Sequence, residues 1–210
     1  MSSSIQRVIV MASGNGSNAQ VLLDAAKSRS GDEAFEVVAV VSNHADAPVL
    51  QRAKDAGVRI EVLEAQKGEP RDRYDRRLEP ILDRYRPDLV VLAGWMRLLT
   101  GEFCARFPII NLHPAKPGAF PGATAIADAF AAFEAGEITE TGVMVHWVPD
   151  AGVDSGPVIR TETVPILTTD SLDALAERVH AVEHRLLPAA VTDALSFLSS
   201  QLSTPIQVPS

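Results

Sequence analysis

The chain has a single cysteine in its 210 residues, Cys104. That count excludes an intrachain disulfide framework and a cysteine zinc cluster. Basic runs are missing too. Lys and Arg number 19 against 27 Asp and Glu, for a net charge of −8, and Trp and Tyr occur only twice each. This balance argues against a nucleic-acid-binding surface. No apolar run approaches the roughly 20 residues of a membrane span. The opening MSSSIQRVIVMASG lacks the charged n-region and the apolar length of a signal peptide. We expect a soluble, cytoplasmic protein with neither nucleic acid nor membrane as a partner. The sequence shows no internal repeat and no low-complexity linker.

What is present is an ordinary globular composition, 46% apolar and 22% charged. Short continuous apolar runs alternate with helical patterns. Val8 to Ala12, Phe35 to Val41, Arg59 to Leu63 and Leu89 to Ala93 read as strands. Between them, Ala19 to Lys27, Pro48 to Ala56 and Arg71 to Tyr85 read as helices. A short helix at Gly101 to Arg106 leads to a further strand ending at Asn111. Such alternation predicts an α/β fold: a Rossmann-like open, mostly parallel twisted sheet with helices on both faces. The later part differs. After a helix at Ala125 to Ala135, Gly142 to Val148 and Pro157 to Val164 read as an antiparallel pair joined by PDAGVDSG. Asp170 or Ser171 caps a long helix running towards Ser199, and Pro188 is expected to kink or interrupt it.

The segment SGNGSN lies between the first strand and the first helix. In an open α/β sheet this is where helix N-terminal N–H groups meet an anion. The glycines let the backbone approach a ligand closely, so a side chain at Gly16 is expected to obstruct a phosphate. The G-x-G-x-x-G dinucleotide pattern is incomplete, because Ala19 or Gln20 stands at the third glycine. The second strand ends in Ser42-Asn43 and not in a ribose-binding acid. A single phosphate therefore fits better than a pyrophosphate. The bland alternative is a tight turn with Ser17 or Asn18 as helix cap. His180-Ala181-Val182-Glu183-His184 matches the H-x-x-E-H zinc pattern, but no Glu or His follows as a third ligand, so no metal is expected.

NLHPAKPGAFPG, residues 111–122, places an amide and an imidazole at the end of a buried strand and a stiff Pro- and Gly-rich loop after them. Asn111 and His113 share one side of that strand. An amide donor beside an imidazole points to acyl-type chemistry, the amide meeting a developing oxyanion and the imidazole moving a proton. A strand-end Asn and a hydrogen-bonded turn His are an equal reading of these residues alone. Asp154, in DAGVDSGPVI, could orient the imidazole, or serve only the turn. No Ser or Cys nucleophile is evident, and Cys104 reads as core.

Taken together, SGNGSN, LAGWMRLL, INLHPA, FPG and GVDSGPVI resemble the phosphoribosylglycinamide formyltransferase family, over about Arg7 to Pro188. The resemblance implies one formyltransferase domain over residues 1–200: a phosphate-binding half at 1–110, a folate and catalytic half at 111–200, then a disordered tail at 201–210. It implies a formyl donor, 10-formyltetrahydrofolate, as cosubstrate and glycinamide ribonucleotide as acceptor. By motif, Gly16, Ser17 and Asn18 would hold the acceptor's phosphate. Glu183 would meet its ribose and glycinamide. Asn111 would bind the formyl oxygen and stabilise the tetrahedral intermediate, His113 would protonate the departing folate nitrogen, and Asp154 would support His113 and order a water. Met96, Arg97, Leu98 and Leu99 would pair with the pterin, and Arg71 would lie near the folate. Lys116 stands where relatives carry an apolar residue. Monomer and homodimer are both open. A related folate-dependent formyltransferase or hydrolase, or a non-catalytic nucleotide-binding module, are the competing readings.

Overall fold

The structure is a computed structural model that describes residues 5–31 and 34–202. The segment read as a disordered tail lies, from residue 203 onwards, outside the described residues. Seven strands form one sheet: β1 (Gln6–Met11), β2 (Phe35–Ser42), β3 (Arg59–Val62), β4 (Leu89–Leu92), β5 (Ile109–His113), β6 (Glu140–Trp147) and β7 (Val158–Pro165). Among the described residues, six α-helices accompany them: α1 (Ser17–Ser28), α2 (Pro48–Asp55), α3 (Arg71–Tyr85), α4 (Gly101–Arg106), α5 (Ala125–Glu134) and α6 (Leu172–Leu202). The strand order is β3-β2-β1-β4-β5-β6-β7. All pairs through β4–β5 are parallel, and β5–β6 and β6–β7 are antiparallel.

The central strands carry continuous apolar runs because both faces are covered there. Along β1, Val8 and Val10 join one core while Ile9 and Met11 join the other; along β4, Leu89 and Val91 part from Val90 and Leu92 in the same way. The first core takes buried residues from α1, α2 and α6, including Leu22, Leu50, Val179 and Leu187. The second takes Tyr74, Leu78 and Leu82 from α3 and Phe103 and Cys104 from α4. Strand order reverses beside β1, whose two neighbours are β2 and β4. That switch opens a crevice beyond the carboxyl ends of β1 and β4.

Two local expectations are corrected. α6 runs unbroken through Pro188 from Leu172 to Leu202. The ring removes one backbone donor, but Leu186, Leu187, Ala190, Val191, Ala194 and Leu195 are buried on either side of it, and that packing keeps the helix continuous. The first residue ahead of α1 is Gly16, left-handed at φ 77°, with no side-chain cap, so neither Ser17 nor Asn18 caps it. At α6, Ser171 is the cap: its Oγ accepts from the Ala174 N–H, while Asp170 pairs with Arg178.

Candidate active site

The β1–α1 loop owes its shape to a close packing contact. A Cβ on Gly16 would lie 2.4 Å from Val49 Cγ2, at the start of α2. The helix behind the loop therefore requires the glycine, a packing reason that the sequence did not show. Gly14 differs, since a Cβ there would meet open space. Ser13 to Asn18 line a cleft of about 290 Å³ together with His44, Ala93, Gly94 and Met96. The loop is tied across the switch point, because Ser13 Oγ accepts from the Met96 N–H at 2.8 Å and the Ser13 N–H donates to Gly94 O at 2.9 Å.

A second cleft, of about 280 Å³, adjoins the first and shares Gly94 and Met96 with it. Its walls carry Arg97, Leu98 and Leu99 from the β4–α4 segment, Asn111 and His113 from β5, His146 from β6 and Asp154 from the β6–β7 loop. Leu92, Leu99, Val148 and Val153 supply apolar surface. Arg97 lays its guanidinium over the Tyr74 ring at 4.1 Å, and its buried Nε has no protein partner. Arg71 is exposed at the first turn of α3 and lines neither cleft.

Asn111 and His113 lie at the end of β5 as their spacing predicts, and a hydrogen-bonded cluster gathers on them. Asp154 is its hub. Oδ1 accepts from Asn111 Nδ2 at 2.9 Å, and Oδ2 accepts from the Gly122 N–H at 2.9 Å and stands 3.3 Å from His113 Nδ1. Burial pushes the Asp154 carboxyl up, but its polar contact with His146, the Gly122 N–H and the nearby imidazoles outweigh this and hold it below the usual carboxylate value. His113 Nε2 lies 3.0 Å from the Phe120 carbonyl. Both ring nitrogens thus face oxygens, an arrangement that only the doubly protonated ring satisfies in full. The Pro- and Gly-rich lip is therefore bonded to the site at both Phe120 and Gly122.

Two backbone strains hold this geometry. Phe120 and Asp154 are left-handed at φ 46° and 48°, which costs a side-chain-bearing residue about 1–3 kcal/mol. Gly156 secures the loop that carries Asp154, since a Cβ there would sit 1.8 Å from Trp147 O. The glycine of DSGP is thus a packing requirement, a signal that periodicity does not register.

His146 was not singled out by the sequence. It is 1% exposed on β6, directly opposite Asn111 in the antiparallel register. Its Nε2 lies 3.2 Å from Asn111 Nδ2 and 3.5 Å from Asp154 Oδ1, and its Nδ1 lies 2.8 Å from Trp147 O. It is embedded in MVHWV with no turn, glycine or repeat beside it, so no local pattern marks it.

Glu183 is buried on α6, and its Oε2 accepts from Asn18 Nδ2 and His180 Nδ1, both at 2.9 Å. The carboxylate of the H-x-x-E-H match is thus committed to an imidazole three residues away and to Asn18 in the first turn of α1. Among the described residues, no three His, Cys, Asp or Glu side chains gather as metal ligands. Cys104 is buried, and burial together with the Asp75 and Asp150 charges pushes its thiol up to about 11. At neutral pH it is protonated and a poor nucleophile.

A Formyl transferase family model matches residues 6–191. Phosphoribosylglycinamide formyltransferase of Schizosaccharomyces pombe is 42% identical over 199 residues, covering 89% of this chain and 96% of the relative. The Escherichia coli protein of that name is 39% identical over 187 residues, covering 88% and 85%. The solved structure of phosphoribosylglycinamide formyltransferase from Bacillus halodurans superposes with a TM-score of 0.83 at 33% identity, covering 96% of this chain and all of that one. With a family model spanning nearly its whole length, and relatives well above 30% identity along most of it, this chain belongs to the formyl transferase family.

Proposed function

We propose that the protein transfers a formyl group from 10-formyltetrahydrofolate to the amine of glycinamide ribonucleotide, a step of purine biosynthesis. One observation carries the reading: the Asn111, His113 and Asp154 cluster lines a cleft that shares Gly94 and Met96 with the Ser13 to Asn18 loop. An acceptor anchored at that loop by a phosphate would have its amine within the reach of the cluster. Anchoring then also orients the amine, which is where much of the rate of a two-substrate reaction arises.

The donor supplies a formyl group on a nitrogen that must leave as an amine. The residues present fit such a molecule. Apolar Leu92, Leu99, Val148 and Val153 suit a flat ring system, and the Met96 to Leu99 segment lining the cleft offers backbone groups along its edge. His113 holds the proton for the leaving nitrogen, and Asp154 favours the charged imidazole at Nδ1. To deliver that proton, Nε2 exchanges the Phe120 carbonyl for the donor nitrogen. Asn111 has both amide N–H groups engaged by protein acceptors, so meeting a formyl oxygen exchanges the longer contact, to His146. The N–H groups at the start of α1 and the positive end of its dipole suit a phosphate, and Glu183 suits hydroxyl or amine donors of the acceptor.

The direct test offers the purified protein 10-formyltetrahydrofolate with glycinamide ribonucleotide, its dephosphorylated nucleoside or initiator methionyl-tRNA. Turnover should be high with the nucleotide and weak with the nucleoside. Equal turnover with the nucleoside would remove the phosphate role of Gly16, Ser17 and Asn18. A preference for the charged tRNA would assign a different acceptor.

A further inference from the structure

We propose that His146 is a positioning residue that fixes the plane of the Asn111 amide. The register of β5 with β6 sets the two side chains opposite one another. His146 Nδ1 faces a backbone carbonyl, which can only accept, so Nδ1 carries the proton. At Nε2 the neighbours conflict. A proton there could point to Asp154 at 3.5 Å but would be set against the N–H of Asn111 at 3.2 Å. Turning the amide over does not relieve this, because its oxygen would then lie against the Asp154 carboxylate, now 2.9 Å from Nδ2. The arrangement that serves both N–H groups of the amide has the Nε2 lone pair accepting from Asn111.

The consequence is geometric. A carboxamide nitrogen carries two hydrogens in the plane of its group. One acceptor fixes a single direction and leaves the plane free to rotate; two acceptors define the plane. Asp154 Oδ1 is the first acceptor and His146 Nε2 the second. With His146 1% exposed and anchored to Trp147, neither water nor rotamer freedom loosens the second point. His146 therefore acts on the reaction through Asn111, holding the amide where one N–H needs only a small displacement to reach a formyl oxygen. This role rests on formyl transfer as the reaction, and wild-type turnover, measured first, tests that reading separately.

The experiment is a double-mutant cycle with a rescue arm. His146→Phe keeps a flat ring and removes the acceptor; His146→Leu takes its place if the Phe variant does not fold. His146→Gln puts an amide oxygen near the place of Nε2. The apolar variant should lower kcat roughly 10- to 100-fold, the scale of a misplaced catalytic group, with KM for both substrates little changed. Gln should recover most of the loss. In an Asn111→Ala background the apolar variant should cost almost nothing more. Side-chain amide NMR of asparagine-labelled protein gives a readout independent of turnover: one Asn111 amide proton should lose its hydrogen-bonded shift. A full-sized loss of kcat in the Asn111→Ala background, no recovery with Gln, or an unchanged Asn111 amide signal would each overturn the role.

Discussion

The side chain of Asn18 donates to Glu183 Oε2 at 2.9 Å, joining the first turn of α1 to the middle of α6 across 165 residues of sequence. The same oxygen accepts from His180, whose pKa is raised first of all by that bond. One carboxylate thus holds the start of α1 against the longest helix. Glu183→Ala should leave the part-buried Asn18 amide donor without its partner, at a cost of about 1 kcal/mol. It should also raise KM for the nucleotide acceptor while leaving KM for the folate donor near its wild-type value. Urea unfolding and steady-state kinetics measure the two effects. Equal increases in both KM values would detach Glu183 from the acceptor side.

Asp154→Asn should fold normally and lose turnover by roughly 100-fold or more. The amide keeps the volume but presents N–H groups where Asn111 and Gly122 already donate, and it removes the charge that favours the His113 imidazolium. Kinetics across pH, with the melting temperature as a control for folding, check this. Near-normal kcat throughout the range would exclude Asp154 from the reaction.

Gly14 and Gly16 should respond oppositely to alanine. Gly16→Ala combines a left-handed backbone with a Cβ driven into Val49, so it should destabilise the fold by roughly 2 kcal/mol or more. Gly14→Ala meets open space on the loop and should leave the melting temperature close to wild type. Thermal scans of the two variants decide it, and comparable destabilisation by both would contradict the packing argument.

Asp170 gives a stability signal in acid. The hydrogen bonds from Arg178 and from the Leu167 N–H push its carboxyl down to about 2. Its folded pKa is below the unfolded value of about 3.9, so its contribution is complete above that value and fades as pH falls towards 2. The stability gap between wild type and Asp170→Asn should be constant from about pH 5 to 7 and close steadily below about pH 4. Urea midpoints measured across this range check the sign. A gap that widened in acid would reverse the assignment.

The sequence by itself determined what is local. Apolar runs and caps gave the seven strands and six helices to within a few residues, because burial on both faces of a central strand leaves a continuous signature. The spacing of Asn111 and His113 placed both on one side of β5, since that depends only on the two-residue strand period. Pro188 was misjudged because its backbone penalty is local, whereas the packing that overrides it comes from the core neighbours buried along α6 on either side of the ring. Tertiary structure alone decided the rest. Strand order set the β1–α1 loop beside the β4 end, antiparallel register set His146 against Asn111, and helix docking set Glu183 against Asn18. Arg71 has the charge for a ligand contact but starts a helix that leaves it exposed and outside both clefts. These relationships join residues far apart in the chain. Their energies depend on register and docking, which are settled by the packing of whole elements and leave no mark on the residues adjacent in sequence.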